Sequence, residues 1–112
     1  MTASARIDEL RLSIDALDRQ IVALLAARTR VVRELTEFKN DEETVRSPAR
    51  VEQVIAKVRG LAEEEGMPPA IAEAAYRTLI DELTRLQLDR LAERRNTAEA
   101  ATTGRPTAGA AT

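Results

Sequence analysis

The chain has 112 residues, a formal net charge of -2, 44% hydrophobic but only 2% aromatic residues, and neither Cys nor His. This allows one domain with a modest aliphatic core, without the basic footprint of a nucleic-acid binder or an apolar run that would span a membrane. It also excludes disulfides, thiol nucleophiles, imidazole acid–base chemistry and the usual zinc ligands, so any catalysis rests on Arg, Lys, carboxylates and amides that position a substrate and stabilise charge.

Residues 1–6 read as a short polar leader with no apolar export segment, and the chain is expected in the cytoplasm. From Ile7 to Lys39 no Gly or Pro intervenes, and the apolar positions advance by threes and fours through Leu10, Ile14, Leu17, Ile21 and Leu24. That period predicts one long amphipathic helix. The next position on the stripe is Arg28, a cation where the core wants a Leu. Arg11 and Lys39 fall on a neighbouring row through Asp18, Leu25 and Val32, so all three cations border or interrupt the apolar face. A helix over 7–39 is a rod of roughly 50 Å, longer than two shorter helices of the same chain can cover. A second copy in a twofold homodimer is therefore expected.

The polar run Asn40 to Arg46 is expected to be a surface loop, ending where Ser47 caps a helix that opens on Pro48. The second helix is predicted over 48–65, with Val51, Val54, Ile55, Val58 and Leu61 facing inward and Gly66 as its stop. A third helix is predicted over 69–95, where Leu83, Gln87 and Leu91 share one side and place an amide on the buried seam. The remainder, 96–112, is rich in Ala, Thr and Gly with little to bury, and disorder is expected. The organisation is thus a leader (1–6), an all-α three-helix domain (7–95) and a tail (96–112).

Arg28 and Lys39 are eleven residues apart, about 16 Å along a helix axis, and two long side chains converge on a small anion across that distance. Arg11 precedes Arg28 by seventeen residues, roughly 25 Å, and would reach the same molecule only from a second chain. Each cation also has an ordinary alternative. Arg11 has Asp8 and Asp15 at helical spacing, Lys39 suits a helix C-terminus, Arg28 would need a buried ion-pair partner, and Arg50 could pair with Glu43 or Glu52. Gln87 could be a register-setting amide in a helical seam.

The stretches LRLSIDALDRQIVALLAARTRVV, Phe38-Lys39, VRSPARV at 45–51 and LIDELTRLQ at 79–87 together resemble the all-helical, type II chorismate mutase family, over about residues 6–92. The resemblance implies an intertwined helical homodimer of three-helix chains and a cofactor-free, metal-free Claisen rearrangement of chorismate to prephenate. By position, Arg28 would clamp a substrate carboxylate, Lys39 and Gln87 would hydrogen-bond the ether oxygen, and Arg11 would be donated to the partner's site. Arg50 would add positive charge, and Ser47 stands where the family usually has Asp. The chain departs from the pattern at Val51, where Glu is common, and at Leu83, where Ser is frequent. Val after this Arg also occurs in isochorismate pyruvate lyases and 4-amino-4-deoxychorismate mutases, so the dicarboxylate substrate is chorismate or one of these analogues. A third alternative is a non-catalytic helical dimerisation or regulatory module, in which Arg11, Arg28 and Lys39 would find carboxylates within the protein.

Overall fold

The computed structural model describes residues 2–111, with side chains described from 2 to 101. The fold is all-α, with three long helices and one single-turn helix: α1 (Ala3–Thr36), α2 (Glu42–Arg46), α3 (Pro48–Glu64) and α4 (Pro69–Ala111). None of the described helices is long and apolar enough to cross a membrane. Two units are distinguished, residues 1–34 and 35–112.

The first unit is the body of α1. It begins at Ala3 instead of Ile7 because Thr2 acts as a cap, its hydroxyl oxygen accepting the Ala5 N–H at 3.1 Å. The leader expected over 1–6 is therefore helical from Ala3 onward, and Met1 lies outside the described residues. The stripe predicted for this helix is largely uncovered: Leu10, Ile14, Leu17 and Ile21 keep about half their surface in water, and Leu24 is 70% exposed. Full burial of such a side chain is worth about 1.5–3 kcal/mol, so this face leaves a large apolar driving force unused in the single chain.

In the second unit the chain leaves α1 through two tight bonds, Phe38 N–H to Leu35 O at 3.1 Å and Lys39 N–H to Thr36 O at 3.0 Å. These i to i+3 bonds end the helix at Thr36, three residues before Lys39, where the apolar period alone continued it. The predicted 40–46 loop contains α2, because the Asp41 carboxylate accepts both the Thr44 N–H and the Thr44 hydroxyl at 2.7 Å. Those two bonds hold the Asp41 carboxyl below its usual pKa.

Ser47 differs from its expected role as a side-chain cap. It closes α2 and opens α3 at once, in the left-handed region with φ 35 and ψ 67, and its side chain makes no cap bond. A capping hydroxyl needs an extended backbone to reach the following N–H groups, and a residue that must reverse the chain between abutting helices cannot also provide it. At the far end of α3, Gly66 does stop the helix as expected. Its φ of 72 lets Met67 N–H bond Ala62 O at 2.8 Å and Gly66 N–H bond Glu63 O at 3.1 Å, satisfying carbonyls that the helix leaves over.

Helices α3 and α4 run antiparallel, since early α4 pairs with late α3 (Arg59–Glu73, 2.8 Å) and later α4 with early α3 (Arg77–Glu52, 3.2 Å). The buried apolar residues of this unit are Ile55, Val58 and Ala62 of α3, Ala72, Leu83 and Leu91 of α4, and Val45 of α2. Leu61, expected on the inner face, is 46% exposed, and Ala62 is buried instead. Helix α4 also continues beyond Arg95, the end predicted for it. Residues 96–101, expected to be disordered, are helical: Ala98, Ala100 and Ala101 are strong helix formers, and the Thr97 hydroxyl donates to Glu93 O at 2.9 Å. For the rest of the expected tail, the side chains of 102–111 and all of Thr112 lie outside the described residues.

Two substitutions test this packing. Ile55→Ala should cost about 2–5 kcal/mol of unfolding free energy by opening a cavity between α3 and α4. Gly66→Ala should cost about 1–2 kcal/mol through its left-handed backbone alone. Denaturant titration monitored by circular dichroism measures both, and an unchanged midpoint for Ile55→Ala would contradict the described core.

Candidate active site

The end of α1 and the middle of α4 meet in a small polar cluster. Lys39 Nζ donates to Gln87 Oε1 at 2.9 Å, and Thr36 Oγ1 donates to the same oxygen at 3.1 Å. Gln87 is only 6% exposed and Thr36 is fully buried, at 0%. An ammonium has three donors and no acceptor, so the Gln87 atom facing Lys39 must be the amide oxygen. The amide nitrogen Nε2 takes part in neither bond and keeps its two hydrogens for another acceptor.

Arginines of α4 hold the turn that carries Lys39. Arg90 grips the Glu37 carboxylate with two nitrogens, Nη2 at 2.7 Å and Nε at 3.0 Å, which lowers the Glu37 pKa. Arg94 donates to the carbonyls of Glu37, at 2.8 Å, and of Lys39, and Arg95 donates to the Asn40 carbonyl at 3.0 Å. These carbonyls lie in the turn after α1, outside any helix, and backbone acceptors there still need donors; α4 supplies them. Burial lowers the Lys39 pKa from the ordinary lysine value, and among the described residues no carboxylate pairs with this ammonium.

The remaining candidates are distributed between the two units. Arg11 is exposed and Arg28 half-buried on the α1 body. Seventeen residues of continuous helix separate them by about 25 Å, so one small ligand cannot touch both from a single helix. In the second unit, Leu83 is buried one turn before Gln87. Ser47 and Val51 are half-buried and Arg50 is exposed around the start of α3. Glu52, a partner considered for Arg50, pairs with Arg77. A shallow, open groove of about 250 Å³ lies beside the arginines, lined by Asn40, Leu91, Arg94, Arg95 and Ala98, none of them a predicted site residue.

Thr36, Arg90 and Arg94 were missed in the sequence, although a signal exists for each. Thr36 lies four residues after Val32 and three before Lys39, on the same stripe, and Arg90 and Arg94 continue the row of Leu83 and Gln87. Polar residues on an apolar row are candidates for cross-helix bonds, but their partners cannot be read from spacing.

Residues 10–88 match the family model described as chorismate mutase type II, which spans well over half of the chain. The chain belongs to the type II chorismate mutase family. It is thus an all-α isomerase, and the alternative of a non-catalytic helical module is set aside. A curated chorismate mutase from Methanocaldococcus jannaschii is 27% identical over 92 residues, covering 81% of this chain and 93% of the relative. Among the described residues, no group of three or more His, Cys, Asp or Glu side chains could hold a metal ion.

The lowered Lys39 pKa has a thermodynamic consequence with a definite sign. A lysine whose folded-state pKa lies below its unfolded value of 10.5 penalises the fold while it is charged, and the penalty lifts as pH rises from the folded pKa toward 10.5. The unfolding free energy of the wild type, relative to Lys39→Met, should therefore increase between neutral pH and pH 10.5. Parallel denaturant titrations at stepped pH measure the difference, and a level difference would argue against burial of this charge.

Proposed function

We propose that Lys39 and Gln87 form the catalytic donor pair of a Claisen rearrangement that turns chorismate into prephenate. The observation that supports this is the 2.9 Å bond between Lys39 Nζ and Gln87 Oε1, which joins two polar groups 48 residues apart on a half-buried wall without a neutralising carboxylate. In the rearrangement the ether C–O bond breaks as a C–C bond forms between the enolpyruvyl carbon and the ring. No proton moves, and negative charge grows on the ether oxygen. One hydrogen of Lys39 Nζ and one of Gln87 Nε2, directed at that oxygen, stabilise the transition state more than the ground state, which is what accelerates the step.

The two substrate carboxylates need cations. Arg28 takes one within the chain, Arg11 of a second copy completes the site, and Arg50 adds positive charge. The 25 Å separation of Arg11 and Arg28 along α1, with the exposed apolar stripe between them, favours a twofold homodimer with two equivalent sites. Ser47, Val51 and Leu83 border the ring, where the family pattern carries more polar side chains. We assign the enzyme to the cytoplasm and to aromatic amino-acid supply.

Purified protein incubated separately with chorismate, isochorismate and 4-amino-4-deoxychorismate should convert chorismate to prephenate, read by product chromatography. Salicylate and pyruvate from isochorismate as the main activity would instead make it a lyase, and preferred turnover of the amino analogue would make it an aminodeoxychorismate mutase. Turnover of none of the three would sink the catalytic reading.

The shared site has its own test. Arg11→Ala and Arg28→Ala chains, each inactive as homodimers, should regain about one working site per heterodimer when unfolded together and refolded as a mixture. A mixture that stays as inactive as its components would exclude donation of Arg11 across the dimer.

A further inference from the structure

We propose that Thr36 is a positioning residue for the reaction, fixing the plane of the Gln87 amide so that Nε2 stays aimed at the breaking ether bond. The proposal rests on the reading that Gln87 donates to that oxygen. Thr36 has no exposed surface, so it does not touch substrate and acts only through a neighbour. One such neighbour is Gln87, whose Oε1 accepts from Thr36 Oγ1 at 3.1 Å as well as from Lys39 at 2.9 Å.

The two bonds do different work. Lys39 decides which end of the amide faces inward, because an ammonium tolerates only the oxygen. It holds that oxygen from the end of a flexible four-carbon stem, and it must also serve the substrate. The terminal torsion of a glutamine is broad, so one bond from a mobile donor leaves the amide free to swing. Thr36 is β-branched, with few side-chain conformers in a helix, and stands on the last residue of α1. A second bond from that rigid position confines the amide plane. It also keeps a buried oxygen partnered when Lys39 turns toward the substrate, and an unpartnered buried acceptor is costly.

Thr36→Val keeps the shape and removes the hydroxyl. It should lower kcat about tenfold, of the order expected for one well-made hydrogen bond, while KM stays within about twofold because the arginines that bind the carboxylates are untouched. Thr36→Ser should recover most of kcat. The deciding measurement is a double-mutant cycle: in a Gln87→Ala background, Thr36→Val should have almost no further effect on kcat, since it acts only through the amide.

An equal loss in both backgrounds would show a general structural role and overturn the proposal, as would a wild-type kcat in Thr36→Val. If Thr36→Val fails to fold, Thr36→Ala takes its place in the cycle, with Thr36→Ser as the control that keeps the hydroxyl, and the same non-additivity decides. Gln87→Ala alone separates the two levels. Full activity in that variant would remove the donor role of Gln87 and the proposal with it, whereas a slow Gln87→Ala beside a fast Thr36→Val overturns only the positioning role.

Discussion

Backbone carbonyls of a turn, outside any helix, still need donors, and in this chain the geometry of the Lys39–Gln87 pair depends on how the carbonyls of the turn after α1 are met. Arg94 and Arg95 reach from α4 to the carbonyls of Glu37, Lys39 and Asn40, while Arg90 holds the Glu37 carboxylate. The turn after Thr36 is thereby bound to α4 at several points within four residues. Because Gln87 lies one turn before Arg90 on the same helix, docking the backbone there also sets the Lys39 ammonium against the amide. The surface ion pair adds little by itself; its contribution is to the alignment of a bond deeper in the protein.

The cluster at Gln87 shows how a site without His or Cys gains direction. A buried amide oxygen with two donors is fully partnered, and the orientation of the whole group follows from the inability of an ammonium to accept a hydrogen bond. The arrangement carries a cost, since burial disfavours the Lys39 charge. In the proposed rearrangement, charge growing on the substrate's ether oxygen at the same spot would offset that cost most in the transition state. The same tension between stability and charge placement is common where electrostatic catalysis replaces proton transfer.

The body of α1 poses a separate problem. Its apolar residues repeat at helical period along about 50 Å of axis, yet Leu10, Ile14, Leu17 and Ile21 remain about half exposed and Leu24 more so. A second copy would bury this stripe and, in the proposed enzyme, would also bring Arg11 to a site that its own chain cannot complete. On that reading, dimer assembly and catalysis draw on one structural feature, the length of a single helix.

The all-α class, the starts of α3 and α4 at Pro48 and Pro69, the stop at Gly66 and the presence of Gln87 on a buried seam were all determined by the sequence alone, because periodicity and terminal residues are local signals. The family was legible too, in the ordered motifs from Leu10 to Gln87. Other features depended on tertiary structure. Ser47 lost its capping role to the turn between two abutting helices, and α1 stopped at Thr36 where the apolar period ran on. Thr36, Arg90 and Arg94 acquired partners 51 to 57 residues away. Side-chain spacing states which residues share a helix face, but a hydrogen bond between helices depends on their packing and axial register, which only the folded chain sets.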